Sequence, residues 1–172
     1  MTDFKALLEA LTGAGVELIL VGGLAGIAHG SARLTQDIDI VYARSDENLE
    51  KVARALAQHH PYLRGAPPGL PFKWDAATLR HGLNFTLETT LGDIDILGEI
   101  TGGGGYEDLL AHTIELQLFN RPVLCLDLDT LIKTKRAAGR PKDLEAIAEL
   151  EALRDSRAED SSPTSLEETA AG

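Results

Sequence analysis

The chain has 172 residues, 44% of them hydrophobic and 25% charged, which is the composition of an ordinary globular protein. Its net charge of −11 argues against nucleic-acid binding by bulk counterion release, although it leaves room for a local basic site. No apolar run approaches the ~20 residues that span a bilayer, and the N-terminus lacks the basic and apolar segments of a signal peptide. The single cysteine, Cys125, allows no internal disulfide. We therefore expect a cytoplasmic protein without a membrane partner.

The first half of the chain alternates between helix and strand patterns. In chain order we predict a helix over about 3–15, a strand over 16–21, a turn and short helix over 22–30, a strand over 33–43 and a helix over 45–60.

The second half begins with a loop over 60–75, which holds four of the seven prolines. We then predict a hairpin over 83–100, a flexible glycine connector over 101–105, a short helix over 106–113, two short strands over 114–126 and helices over 127–139 and 141–154. This order favours an α+β sandwich, in which helices flank a mixed, mostly antiparallel sheet of about five strands.

A single domain over 1–154 fits this length. We expect its core to cover 14–126 and its C-terminal helices to cover 127–154. The polar, acidic residues 157–172 are predicted to form a disordered tail.

Two copies of Asp-Ile-Asp stand out in the predicted strands. Asp37 and Asp39 point the same way because side chains alternate along a strand, so they repel each other unless a cation lies between them. Mg²⁺ prefers such oxygen ligands together with substrate phosphates. In the second copy Asp95 lies inside a strand, whereas Asp93 follows Gly92 near the turn and is expected to be more exposed. Asp95 could therefore complete a two-metal site.

Gly22 and Gly23 stand between a predicted strand and a predicted helix. Glycines allow a phosphate to approach the backbone closely, and the first amides of a helix are free to bind it. A plain turn explains these glycines equally well when they are considered alone. Together with the three carboxylates, however, they describe a nucleotidyl-transfer site better than a hydrolase triad.

In this combination of glycines and aspartates the chain resembles the polymerase-beta-like nucleotidyltransferases. Their motif is Gly-Gly or Gly-Ser at the start of a helix, then Asp-h-Asp-h (h is hydrophobic) and a later third acid, which matches Gly22-Gly23, Asp37-Ile38-Asp39-Ile40 and Asp95. The resemblance implies that the aspartates bind Mg²⁺ or Mn²⁺ and that the glycines hold the triphosphate. It also implies transfer of a nucleoside monophosphate to a hydroxyl, with Asp95 as general base.

The segments around Arg33 and Thr35 and around 133–143 resemble a minimal bacterial branch, which includes abortive-infection and toxin–antitoxin enzymes. By that resemblance Lys133, and more weakly Lys142 and Asp143, approach the nucleotide. Arg33 could pair with a carboxylate or a phosphate. A cognate antitoxin or another partner protein is a further expectation from this branch.

The sequence leaves open several alternatives for the acceptor, the activity and the roles of individual residues. The acceptor could be a tRNA, a protein or a small molecule, and the fold could serve as a catalytically silent nucleotide-binding or regulatory module. The basic residues of 133–142 could form an ordinary solvated helix face or a phosphate surface. His29 could line the site, while Trp74 and Cys125 are expected to pack in the core.

Overall fold

A computed structural model describes residues 1–160, which form seven α-helices and nine β-strands. The helices are α1 (Phe4–Gly13), α2 (Gly22–Ala28), α3 (Asp46–Leu56), α4 (Ala76–His81), α5 (Tyr106–Leu109), α6 (Leu128–Ala138) and α7 (Pro141–Asp160). The strands are β1 (Leu18–Val21), β2 (Asp37–Tyr42), β3 (Tyr62–Leu63), β4 (Asn84–Thr89), β5 (Gly92–Leu97), β6 (Glu99–Ile100), β7 (Gly104–Gly105), β8 (Thr113–Leu118) and β9 (Arg121–Leu126).

Local capping explains where four of the helices begin. Asp3, Ser45, Asp75 and Asp127 each accept a hydrogen bond from a backbone N–H three residues later, at α1, α3, α4 and α6 respectively. Such a bond satisfies one of the amides that the first helical turn leaves free.

Seven of the strands form one mixed sheet in the order β3-β4-β5-β2-β1-β9-β8. The β2–β5 and β1–β9 pairs are parallel, and the other four pairs are antiparallel. The predicted mixed, mostly antiparallel sheet is confirmed, but its strand number is seven rather than about five. The prediction missed β3 because this two-residue strand lies inside the proline-rich loop. A separate two-stranded sheet pairs β6, at the end of the predicted hairpin, with β7 in the predicted glycine connector.

The apolar sides of β2 and β5 are fully buried. Ile38, Ile40, Ile94 and Ile96 have no exposed surface, because the alternation of each strand turns them away from the aspartates. Helix α6 contacts both α2 and α7. In a second group, helix α3 contacts both α1 and α4.

The last helix extends further than predicted. Arg157 to Asp160 were expected in the tail but belong to α7. Arg157 holds this end of the helix, since its guanidinium donates to the backbone carbonyl of His29 and lies 3.0 Å from the His29 ring. The rest of the predicted tail, 161–172, lies outside the described residues. None of the helices within residues 1–160 combines the length and the apolar character that a bilayer crossing requires.

One buried polar side chain ties α3 to the sheet. Asn48 is 1% exposed, accepts from the Glu17 N–H at 2.8 Å, and donates to the carbonyls of Glu17 and Ala43 at 3.0 and 2.8 Å. Asn48→Ala should lower the free energy of unfolding by about 3 kcal/mol, because it leaves buried backbone groups unpaired. Urea unfolding will measure this, with the exposed Gln58→Ala as the control. A loss below ~1 kcal/mol would show that these three bonds contribute little.

Candidate metal centre and adjoining cavities

The parallel pairing of β2 with β5 places the two Asp-Ile-Asp copies side by side. In this register Asp37 lies beside Asp93, and Asp39 lies beside Asp95. Asp37, Asp39 and Asp95 are partly buried, and each offers one carboxylate oxygen within 4.8 Å of the other two. The structure therefore brings together all three acids that the sequence singled out.

Crowding and burial raise the pKa of two members of this cluster, Asp39 and Asp95, when no metal is present. Burial raises the pKa of Asp39 to about 8, and repulsion from Asp37 and Asp95 adds to the effect. The pKa of Asp95 is also raised, mainly by burial, although the Arg64 guanidinium opposes the shift. A divalent cation would remove the repulsion and hold all three carboxylates in the charged form.

The donor set fits a hard divalent cation such as Mg²⁺ or Mn²⁺. All three candidate ligands are carboxylates, and one oxygen of each lies close enough to the other two for a single ion to contact all three. We infer that Asp37, Asp39 and Asp95 would hold the ion. When bound, it would supply Lewis-acid stabilisation of a phosphoryl group.

Gly22 leaves the space that the Asp39 carboxylate occupies. The residue has a φ of +67°, and a Cβ built on it would lie 2.0 Å from Asp39 Oδ2. Gly23 also packs closely, since a Cβ there would lie 2.8 Å from Thr35 Oγ1. Both glycines are thus required by close packing against the acidic strand. Their amides also begin α2, where intrahelical acceptors are missing.

Thr35 and Arg33 lie on the segment that leads into β2. The Thr35 hydroxyl is 3.4 Å from Asp37 Oδ1 and 3.2 Å from the Asp37 carbonyl oxygen, so it supports the first carboxylate. Arg33 instead forms an exposed ion pair with Glu145 of α7 at 3.1 Å. Arg33 therefore lies near the site without touching the aspartates in this structure.

The helix α6 presents Lys135 to the site, whereas the sequence analysis chose Lys133. Lys133 is exposed and lines neither cavity next to the aspartates, because it is two positions removed from Lys135 on the helix. The Lys135 side chain is 15% exposed and lies 4.0 Å from Asp143 Oδ1. Burial lowers the pKa of Lys135, while Asp143 and Asp39 oppose that shift. Lys135 follows Leu131 by four residues, so the helical period could have revealed its position.

Asp143 organises the basic side chains at the start of α7. Its carboxylate is 3% exposed and accepts from Arg140 Nε at 2.7 Å and from Arg140 Nη2 at 3.2 Å. Despite burial, these bonds and the nearby charges lower the pKa of Asp143. An ionised Asp143 thus fixes Arg140 and Lys135 above the acidic strands, with Lys142 beside them.

A further residue at the site, Arg64, was missed by the sequence analysis. It follows β3 in the proline-rich loop, and its guanidinium lies 3.5 Å from Asp37 Oδ2, 3.4 Å from Asp93 Oδ2 and 2.9 Å from Asp95 Oδ1. No local pattern could have revealed it, since the contact spans 27 to 31 positions of the chain and depends on the pairing of β3 with β4.

The aspartates lie where two cavities meet. The first, about 450 Å³, extends toward Asn84, Glu99 and Thr101, and the second, about 400 Å³, extends toward Gly23, Arg33 and Thr35. Seven residues line both cavities: Gly22, Asp37, Asp39, Lys135, Arg140, Lys142 and Asp143. Two ligands could therefore meet at the carboxylates.

Three other candidates belong to the core. His29 is 2% exposed, and its Nε2 atom lies 2.7 Å from the Leu126 carbonyl oxygen. Trp74 packs against the core and donates from Nε1 to the Ala53 carbonyl at 2.8 Å. Cys125 is buried, and burial raises the pKa of its thiol to about 12, so it is not a reactive nucleophile.

Solved structures share this arrangement of helices and strands. The lincosamide antibiotic adenylyltransferase LnuA, bound to lincomycin, matches 88% of this chain and 98% of its own with a TM-score of 0.59 and 17% identity. ANT(2")-Ia in complex with adenylyl-2"-tobramycin matches 92% of this chain and 96% of its own with a TM-score of 0.52 and 16% identity. The fold is that of a nucleotidyltransferase.

A solution structure of the antibiotic-resistance factor ANT(2'')-Ia matches 93% of this chain and 94% of its own, with a TM-score of 0.52 and 17% identity. No protein-family model matches the chain, and neither does any curated protein sequence. At these identities the likeness establishes the nucleotidyltransferase fold alone.

The raised pKa of Asp39 predicts how stability depends on pH. In the metal-free protein Asp39 keeps its proton up to about pH 8, whereas the unfolded chain loses it near the ordinary value of 3.8. Unfolding therefore releases this proton between those values, so the contribution of Asp39 destabilises the fold increasingly as pH rises from 4 to 8.

Asp39→Asn should remove this loss and raise the free energy of unfolding at pH 8 by about 2 kcal/mol or more, with little gain at pH 4. Urea unfolding in the presence of a chelator at both pH values will check it. Asp155→Asn, on the exposed face of α7, is the control and should change little at either pH. A wild type that is as stable as Asp39→Asn at pH 8 would contradict this electrostatic account.

Gly22→Ala should weaken metal binding at least tenfold, or about 1.4 kcal/mol, because a methyl group would displace the Asp39 carboxylate. Mn²⁺ titration followed by electron paramagnetic resonance will measure the affinity. Gly13→Ala is the control, since a Cβ at Gly13 has nothing within 4 Å. Unchanged Mn²⁺ affinity in folded Gly22→Ala protein would mean that Asp39 is not a ligand.

Proposed function

We propose that the protein is a metal-dependent nucleotidyltransferase that moves a nucleoside monophosphate from a nucleoside triphosphate to a hydroxyl of an acceptor. The observation that carries this proposal is the position of the three aspartates at the junction of two cavities, opposite a basic cluster formed by Lys135, Arg140 and Lys142. The nucleotidyltransferase fold supports it.

The second cavity is the better place for the triphosphate. Arg33 is the charged side chain that lines this cavity but not the first. Gly22, Gly23 and the shared basic cluster line it as well. Glycines permit close approach of phosphate oxygens, and cations neutralise their charge. The metal would add Lewis-acid stabilisation where the phosphates reach the aspartates.

The first cavity would then take the acceptor. It alone contains Asp95 and Glu99, so its own charged groups are negative and suit a neutral or cationic molecule better than a phosphate. A volume of about 450 Å³ lies within the range of small-molecule sites. We therefore favour a small hydroxylated acceptor over a tRNA or a protein.

The proposed reaction uses Asp95 as the general base. The acceptor hydroxyl gives its proton to the Asp95 carboxylate as its oxygen forms a bond to the α-phosphorus, and the bond from that phosphorus to pyrophosphate breaks. Asp95 would be ionised in the metal-bound protein and therefore able to accept this proton. Lys135 and Arg140 would stabilise the negative charge that moves onto pyrophosphate.

Calorimetric titration with each of the four ribonucleoside triphosphates, with and without Mg²⁺, tests the donor site. We expect Mg²⁺-dependent binding of at least one, and its loss in an Asp37→Ala, Asp39→Ala double variant. Mass spectrometry of acceptor panels would follow, comprising lincosamides and aminoglycosides, tRNA and the protein itself. Failure of every triphosphate to bind would refute the transferase proposal.

A silent nucleotide-binding or regulatory module is the second candidate, favoured by the contact of Arg64 with the would-be metal ligands. Metal-dependent triphosphate binding without transfer to any acceptor would support it. Kinship with the abortive-infection and toxin–antitoxin branch, and a cognate antitoxin, stay predictions from the sequence resemblance.

The two lysines of α6 offer a matched comparison. Lys135→Met should lower kcat/KM for the triphosphate by about 10- to 100-fold, because it removes a buried cation from both cavities. Lys133→Met should stay within about twofold, because Lys133 lines neither cavity. Steady-state kinetics on both variants will measure the effects. The reverse ranking would place the nucleotide elsewhere.

A further inference from the structure

Arg64 contacts the carboxylate cluster on the side away from Asp39, which we call its outer side. Its guanidinium forms ion pairs with Asp37 at 3.5 Å, Asp93 at 3.4 Å and Asp95 at 2.9 Å. Two of these partners, Asp37 and Asp95, belong to the three candidate metal ligands. The arginine therefore uses carboxylate oxygens that a second divalent ion would need.

Backbone contacts hold Arg64 in this position. The Arg64 N–H donates to the Thr86 carbonyl at 3.0 Å, and Nη2 donates to the Leu87 carbonyl at 2.8 Å. Both acceptors belong to β4, which pairs with β3 immediately before Arg64. The side chain is only 25% exposed, so it belongs to the folded structure rather than to the solvated surface.

The loop that follows Arg64 is fixed to the same strand. The Tyr62 ring packs edge-on against Phe72, with the ring centroids 6.0 Å apart. The Tyr62 hydroxyl donates to the Pro67 carbonyl at 2.5 Å and accepts from the Leu70 N–H at 3.3 Å. These contacts hold residues 67–72 of the loop against Tyr62 and restrict movement of Arg64 away from the aspartates.

The ion pairs divide the cluster into two sides. Arg64 pairs with Asp37, Asp93 and Asp95 but forms no ion pair with Asp39 among the described residues. The charge that faces Asp39 from α6 is that of Lys135. Gly22 and Asp39 line both cavities, so the inner side of the cluster is accessible to a metal ion, whereas the outer side already holds the Arg64 cation.

We propose that Arg64 is a resident cation of the carboxylate cluster, which occupies one of its two cation positions and limits it to a single divalent ion. This inference rests on the metal site of the proposed function and revises the two-metal site expected from the sequence. Asp93, which lies beyond the three ligands, serves to hold the arginine. Arg64 is in this sense a positioning residue for Asp37 and Asp95, and its role is independent of the acceptor.

Counting bound Mn²⁺ by electron paramagnetic resonance, with the metal alone and the full chain, tests this proposal. We expect one Mn²⁺ in wild type and two in Arg64→Gln, with the second binding at least tenfold more tightly than any second ion in wild type. Arg64→Lys, which keeps a positive charge, should bind one. Arg80→Gln, which removes an arginine from an exposed ion pair with Asp46, is the control and should match wild type.

The same samples give a second readout. Saturating Mn²⁺ should raise the Tm of Arg64→Gln more than that of wild type, because the variant lacks the cation that balances its carboxylates. Two Mn²⁺ ions in wild type, or one in folded Arg64→Gln, would overturn the single-ion proposal and leave the transferase proposal standing. The absence of Mn²⁺ from every protein would overturn both. Two Mn²⁺ ions in wild type would overturn the single-ion proposal even if Arg64→Gln does not fold.

Discussion

The parallel pairing of β2 with β5 is the constraint on which the site depends. Burial of Ile38 and Ile40 fixes which face of β2 packs on the core. Burial of Ile94 and Ile96 fixes the face of β5 in the same way. A shift of one residue would bury the aspartates and expose the isoleucines. Hydrophobic burial on one face therefore sets the carboxylate geometry on the other.

The same arrangement carries an electrostatic cost. Four carboxylates from Asp37 to Asp95 share one face of two adjacent strands, and two of them have a raised pKa in the metal-free protein. The fold supplies a cation on each side of this group, Arg64 from the loop after β3 and Lys135 from α6. A local electrostatic conflict of this kind, balanced by residues distant in sequence, is characteristic of functional sites.

The basic side of the site depends on a second buried charge. Asp143 is almost fully buried at the start of α7, and its bonds to Arg140 keep it ionised. It therefore fixes Lys135 of α6 and Arg140 of the turn between α6 and α7 relative to each other, opposite the aspartates. The two cavities meet between this basic cluster and the acidic strands, which is the arrangement expected where a phosphate-bearing and a hydroxyl-bearing substrate come into contact.

Part of this site could be predicted from local patterns. Alternation within TQDIDIV placed Asp37 and Asp39 on one face, and Gly22 and Gly23 stood between a strand and a helix. Arg64 could not be found in this way, because its contacts depend on the pairing of a two-residue strand. The helical period of α6 favours Lys135 over Lys133 at the cavities, since Lys135 lies next to the buried Leu131 and Thr134.

An anomalous-scattering map from crystals soaked in Mn²⁺ at pH 8 would test the metal centre most directly. At that pH Asp39 can give up its proton, so a metal ion can compete for the carboxylate. The account predicts one peak, bounded by carboxylate oxygens of Asp37, Asp39 and Asp95, with the Arg64 guanidinium still in place on the outer side. A peak that avoids these three residues, or an empty cluster at saturating Mn²⁺, would contradict it.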